Sequence, residues 1–263
     1  MIYRRNSQNL YSKDQINLDN GLSGLWSGYG SGLLVPDRTM KGQDGAISGG
    51  YDWVLGPNNK NHAPLFDGTN GKSVVTLKAN PNPFASRSFS ICFWIWTISN
   101  ATKGVIDPGT NGSGGPTFVW LLTGPVIRFD VNTAGNISST SFQTREWNHF
   151  SLTWDNDIKQ QTIYKNGVLN AQQTTASAAG TDFNAGGTWN FGSMGTTFYL
   201  NAAFGECRFY NRAITSTEAL MLANPSFNTA RLVDRRATKI IGSGGGGSVV
   251  LNNKISNSLR LGI

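Results

Sequence analysis

The run Phe89-Ser90-Ile91-Cys92-Phe93-Trp94-Ile95-Trp96 constrains the fold more than any other stretch of this chain. In an extended strand alternate side chains point to opposite faces. Phe89, Ile91, Phe93 and Ile95 therefore share one face, and Cys92, Trp94 and Trp96 share the other. Both faces are apolar, so both need cover, and the run is predicted to be a central strand of a sheet. It is far shorter than the ~18 apolar residues that a membrane span requires. Further short apolar runs separated by Gly, Asn, Asp and Pro extend from Gly21 to Asn224. They include Ser73 to Lys78, Phe118 to Leu122, Val126 to Val131, Trp147 to Trp154, Gln161 to Tyr164 and Ala203 to Tyr210. Between Gln161–Tyr164 and Val168–Asn170 the pair Asn166-Gly167 predicts a two-residue hairpin turn, because both turn positions need positive φ. One helix is expected: Thr215 stands three residues before Glu218 as a capping box, and Pro225 closes the segment.

These signals predict an all-β chain with two stacked antiparallel sheets, a short C-terminal helix and an extended tail. Gly contributes 32 residues, aromatics make up 11% and charged residues only 14%, which suits many short strands and tight turns. The expected layout is an arm at 1–20, a sandwich at 21–224, and a basic, Gly-rich extension at 225–263. Cys92 and Cys207 both sit inside apolar strand patterns, where a thiol packs as a small hydrophobe. A disulfide between them stays open as the lesser alternative.

Several segments, in order, resemble the laminin-G-like jelly rolls of the concanavalin A-like family. Trp147-Asn148-His149-Phe150 through Trp154-Asp155, followed by Tyr164-Lys165-Asn166-Gly167, is similar to the family's Trp-His-His-Val strand, Asp turn and Tyr-x-Asn-Gly hairpin. Ala63-Pro64-Leu65-Phe66-Asp67-Gly68 resembles its Ala-Leu-x-Phe-Asp-Gly strand end, and Phe89-Ser90-Ile91 its Phe-Thr-Ile strand. Arg208-Phe209-Tyr210-Asn211-Arg212-Ala213-Ile214 resembles its closing strand. The lead-in Gly24-Leu25-Trp26 and the loop from Asp37 to Gly45 fit as well. The first His of the family pattern is Asn148 here, and the loop from Asp107 to Gly115 is unusually Gly-rich. The resemblance implies a two-sheet jelly roll. A looser one, in Ala223-Asn224-Pro225, Arg231, Arg235-Arg236 and Gly244 to Gly247, is to proteins of tailed-bacteriophage particles.

Charge narrows the partners. The formal net charge is +7, and from Asn228 onward six cations face only Asp234, leaving +5 in that segment. A concentrated basic segment points to an acidic partner surface. Arg231, Arg235, Arg236 and Lys239 are the expected anchoring residues. No motif supports sequence-specific nucleic-acid reading, and no segment supports membrane insertion. Together with the phage resemblance this implies a non-enzymatic structural protein of a virion, a capsid decoration protein or another displayed component. It would be assembled in the host cytoplasm and held by other virion proteins, first among them the major capsid protein. Self-association and binding of cell-surface glycans are further expectations. The alternative is a carbohydrate-binding lectin module of a bacterial surface or secreted protein.

The chemistry-bearing residues are few. Glycoside hydrolysis needs two carboxyl groups about 5 to 10 Å apart. Glu146, Glu206 and Glu218 are the only glutamates, none is in the Glu-x-Asp-x-x-Glu pattern of laminarinase-like enzymes, and Glu218 belongs to the capping box. No catalytic residue is expected. His149, beside Trp147 at a strand start, reads as a packed histidine, and His62 has no acidic neighbour in sequence. No cofactor or metal is expected either, although Asp37, Asp44 and Asp67 lie in loops of the kind that hold calcium. Asp before Gly is also an ordinary turn former. Trp26, Trp94, Trp96, Trp120 and Trp189 all have faces that stack on sugars, but Trp94 and Trp96 belong to the central strand. Tyr29, Trp53, Trp189 and Tyr199, read as loop residues, are the glycan-stacking candidates.

Overall fold

The computed structural model describes residues 18–27, 33–39, 41–57, 59, 62–76, 88–98, 100–108, 117–131, 135–175 and 187–225. Two antiparallel sheets face each other. The first contains β1 (Leu22–Trp26), β4 (Tyr51–Leu55), β5 (His62–Phe66), β7 (Phe89–Thr97), β12 (Asn148–Asp155), β13 (Gln160–Lys165), β14 (Val168–Thr174) and β16 (Ala202–Tyr210). Its order is β14-β13-β12-β7-β16-β5-β4, with β1 also paired to β16. The second contains β2 (Leu34–Val35), β3 (Gly45–Ser48), β6 (Lys72–Thr76), β8 (Lys103–Asp107), β9 (Thr117–Leu122), β10 (Val126–Val131), β11 (Gly135–Ser138) and β15 (Thr188–Phe191). Its order is β11-β10-β9-β8-β15-β6-β3-β2. This is the two-sheet sandwich that the strand pattern predicts, with one short helix, α1 (Ser216–Leu222), near the end of the described chain.

The central strand behaves as its two apolar faces require. β7 is flanked by β12 and β16, and Phe89, Ile91, Phe93 and Ile95 enter the core between the sheets at 0% exposure. Trp26, Trp189, Phe191 and Phe209 meet there edge to face, with ring centroids 5.2 to 5.3 Å apart across Trp26–Phe191, Trp26–Phe209 and Trp189–Phe209. The other face of β7 carries Cys92, which joins Leu18, Tyr210, Ile214, Ala219 and Leu222 in a smaller cluster beneath α1. Cys207 belongs to the main core instead. The two cysteines thus occupy opposite faces of one sheet and are free thiols. That settles the disulfide alternative.

Local signals act as expected at both ends of the first sheet. Asn166 and Gly167 turn β13 into β14 with φ of 51° and 82°. The Thr215 side chain accepts from the Glu218 N–H, and the Glu218 carboxylate accepts from the Thr215 N–H at 2.8 Å. Glu218 also pairs with Arg212 at 2.5 Å. Its carboxyl lies below the ordinary range: burial pushes it up, but Arg212 and the Thr215 N–H outweigh that. Among the described residues no helix is long and apolar enough to cross a membrane.

Candidate functional site

The outer face of the second sheet carries an aromatic and polar constellation in which Trp120, Arg128 and Asp130 are half-buried and Phe198 is exposed. Along β10 the alternation is clean: Ile127, Phe129 and Val131 are buried, while Val126, Arg128 and Asp130 are half-buried and face away from the core. The β9–β10 register sets Trp120 opposite Arg128. On its other side Trp120 lies opposite Gly104 of β8. The Trp120 indole Nε1 donates to Asp130 Oδ2 at 3.1 Å, and Arg128 Nε donates to Asp130 Oδ1 at 2.6 Å. Partial burial raises the Asp130 pKa, against the opposing pull of Arg128 and the indole.

A loop completes the constellation. After β15 the chain folds back over β8, where Gly104 N donates to Phe198 O at 2.9 Å. Gly104 makes this approach feasible, because a Cβ there would sit 2.3 Å from Met194 N. Asp107, buried at the end of β8, accepts from Gly195 N at 2.9 Å and from Asn190 Nδ2 at 3.4 Å. The Gly192 carbonyl accepts from Leu200 N at 2.8 Å. Held this way, Phe198 is 42% exposed and meets Trp120 edge to face at 5.4 Å. The result is two aromatic rings on a fixed base with a guanidinium and a carboxylate beside them.

The residues singled out from sequence are distributed differently. Trp189 is not a loop residue: it lies in β15 at 0% exposure and packs on Phe209 in the core, so it has no face for a sugar. Trp53 lies in the edge strand β4, half-buried, with its ring 6.2 Å from Tyr51 and packed against the core. Tyr199 is in the loop beside Phe198 and half-buried. Tyr29, Arg231, Arg235, Arg236 and Lys239 lie outside the described residues. The structure does not gather the three described aromatic candidates, Trp53, Trp189 and Tyr199, into one site. It assembles Trp120 and Phe198 instead. The β10 alternation and the tight β9–β10 connection were the available signals for Trp120, whereas Phe198 arrives only through the long-range fold of its loop.

Several other titratable groups are engaged within the fold. His149 is buried on the α1-bearing sheet, edge-on to Trp94 at 5.0 Å. Burial, helped by nearby Arg208, lowers its pKa to about 3, so it is neutral. Glu206 pairs with Arg208 at 2.7 Å, and both side chains are nearly enclosed. Asp37 accepts from Thr39 N at 2.9 Å and Thr39 Oγ1 at 2.7 Å, and Asp44 accepts from Asp37 N at 2.7 Å. Asp67 accepts from the N–H groups of Thr69, Asn70 and Gly71 at 2.8 to 3.1 Å. These aspartates tie their loops by backbone hydrogen bonds, and among the described residues no three His, Cys, Asp or Glu side chains converge as a metal site.

Comparison with known proteins fits this architecture. A family model described as the concanavalin A-like lectin/glucanases superfamily matches residues 67–219, more than half of the chain. The chain belongs to that superfamily. Among solved structures, domain 4 of AbnA, an extracellular arabinanase from Geobacillus stearothermophilus, solved with arabinotriose, superposes with a TM-score of 0.59 at 16% identity. The match covers 77% of this chain and 98% of that domain. The binding domain of Paraclostridial Mosquitocidal Protein 1 gives 0.61 at 17% identity, covering 79% of this chain and 53% of that one. Trypanosoma rangeli sialidase, in complex with the inhibitor DANA, gives 0.59 at 18%, and this chain spans 32% of its length. No curated protein sequence matches the chain. At these identities the likeness is one of fold.

Proposed function

We propose that the chain is a carbohydrate-binding module that holds a glycan on the outer face of the second sheet, against Trp120 and Phe198, without hydrolysing it. The observation that carries the reading is the locked aromatic pair: Trp120 is fixed by Asp130 and met by Phe198. Sugar C–H groups are weakly positive and lie well on the negative face of an aromatic ring, while ring hydroxyls need a few placed polar groups to replace water. Arg128 and Asp130 supply both donors and an acceptor at the rim of the platform. The similar arabinanase domain was solved with arabinotriose and the sialidase also with sialic acid, which supports the class of ligand and not its identity.

Binding without turnover rests on the carboxylates. Acid and nucleophile or base roles need two within reach of one glycosidic bond. At the platform Asp130 has both oxygens engaged, and Asp107 is buried under the 192–201 loop. Glu206 is held by Arg208 on the first sheet, and Glu218 of α1 by Arg212 just beyond β16. Display on a virus particle draws on the basic charge beyond residue 225 and on the loose phage resemblance of the segment from Ala223 onward, and nothing in the fold favours it over the carbohydrate reading. The test is an array of arabinan, sialylated, β-glucan and bacterial-surface oligosaccharides probed with the full chain and with Phe198→Ala. Signal on at least one glycan class that weakens in the variant is expected. A blank array, or signal equal in both proteins, contradicts the proposal.

A further inference from the structure

The charged group that the platform leaves open is a donor. Both oxygens of Asp130 already accept, one from the Trp120 indole and one from Arg128 Nε. A guanidinium presents its N–H donors in a planar fork and has no acceptor. The bond to Asp130 uses Nε, and among the described residues the two terminal nitrogens of Arg128 have no hydrogen-bond partner, on a side chain that is 38% exposed. Asp130 is the only acidic residue in β9, β10 and β11, so no second carboxylate stands in these strands to fill the fork or to repel an anion.

The neighbouring strand extends the row. The β10–β11 register sets Ser138 opposite Arg128 and Asn136 opposite Asp130. Both are exposed, while Ile137 between them is buried, so they share the outer face with Arg128. Trp120, Arg128 and Ser138 thus lie in line across three adjacent strands. At ~4.8 Å per strand the row is about 10 Å long. That leaves room for one sugar ring on the indole and a second over Arg128.

We propose that the site, on the carbohydrate reading above, selects glycans in which the sugar next to the one stacked on Trp120 carries a carboxylate, as in a uronic or a sialic acid. The carboxylate takes the terminal nitrogens of Arg128 side by side, a charge-assisted pair stronger than the hydroxyl contacts that a neutral sugar offers the same fork. Ser138 and Asn136 meet the remaining oxygens of that sugar. Asp130 acts as a positioning residue: it holds Nε and leaves the terminal nitrogens uncommitted. Because Asp130 also offsets the charge of Arg128, the preference comes from directed hydrogen bonds more than from long-range attraction, and esterifying the carboxylate removes it.

Calorimetric titration of the full chain with matched probes tests this: an oligogalacturonic acid against its methyl ester, sialyllactose against its methyl ester, and arabinotriose as a neutral reference. In at least one pair the acid should bind at least about tenfold tighter than the ester. The pair that shows the gap assigns the carboxylate to a uronic or a sialic acid. In Arg128→Gln, with thermal unfolding as the control, the acid-to-ester ratio should fall below about threefold. Acid and ester binding alike in the wild type overturns the proposal without recourse to a variant, and binding of arabinotriose in the same experiment would leave the carbohydrate reading standing. A ratio that survives in Arg128→Gln overturns it too, since the carboxylate is then received elsewhere. So does the absence of binding by either acid, in which case the neutral reference and the array decide the carbohydrate reading separately.

Discussion

Trp120 and Asp130 are joined across neighbouring strands by a 3.1 Å indole-to-carboxylate hydrogen bond, and this bond fixes the plane of the aromatic ring on the outer face of the second sheet. The same carboxylate receives Arg128, so a single side chain orients both the apolar and the cationic part of the platform.

Asp130→Ala should therefore weaken glycan binding without unfolding the protein. Loss of the orienting bond is worth about 1 kcal/mol, or about fivefold in affinity. Titration of the variant against a glycan identified on the array checks this, with thermal unfolding as the control. Unchanged affinity would show that the ring needs no partner to stay in place.

Much of the architecture was legible in the residues because local patterns and tertiary needs agree. β7 forms over its doubly apolar run, β10 begins and ends where its alternation does, and the capping box at Thr215 and Glu218 and the turn at Asn166-Gly167 form as their chemistry dictates. The site was less legible. Exposure of an aromatic depends on what the fold lays over it, and sequence spacing does not show that. Trp189 looked like a loop residue between Gly-rich stretches, yet β15 is inserted between β8 and β6 and turns it inward. Trp120 sits in Phe118-Val119-Trp120-Leu121-Leu122, apolar at every position, so only the partner strand reveals which face is outside. Phe198 joins it through Gly104, whose missing side chain matters only once the 192–201 loop lies on it.

That loop offers a second test. Gly104→Ala would place a methyl group 2.3 Å from Met194 N, and backbone cannot yield as a flexible side chain does. We expect about 1 to 3 kcal/mol of destabilisation, together with reduced glycan binding as Phe198 is displaced. Denaturant unfolding and the binding titration measure the two effects. A variant of native stability and affinity would mean that the loop is not seated through Gly104.

The helix shields Cys92 and can be loosened selectively. In the native protein burial pushes the Cys92 thiol up to about 12, and the thiol lies beneath Ala219 and Leu222. Thr215→Ala removes the cap at about 1 kcal/mol. It should speed labelling of Cys92 by a thiol reagent about fivefold, while Cys207, in the inter-sheet core, stays unreactive. Equal labelling of both cysteines would indicate global rather than local opening.

Acid should destabilise the fold through His149. Its folded pKa, about 3, lies below the value of about 6.5 expected in the unfolded chain. The unfolded state therefore binds the proton first, so this group's contribution is complete above pH 6.5 and is lost as pH falls toward 3. The slope is at most about 1.4 kcal/mol per pH unit. Urea unfolding at pH 7, 5 and 4 measures it, and His149→Leu should flatten the acid limb. A wild-type stability that is level from pH 7 to 4 would contradict the buried, neutral assignment.

The most direct test of the central claim is calorimetric titration of the wild type and Trp120→Ala with the strongest glycan from the array, followed by product analysis after prolonged incubation of the wild type with that glycan. The account predicts saturable binding by the wild type, at least about tenfold weaker binding by the variant at unchanged thermal stability, and no cleavage products. Equal affinity in the two proteins, or turnover by the wild type, would contradict it.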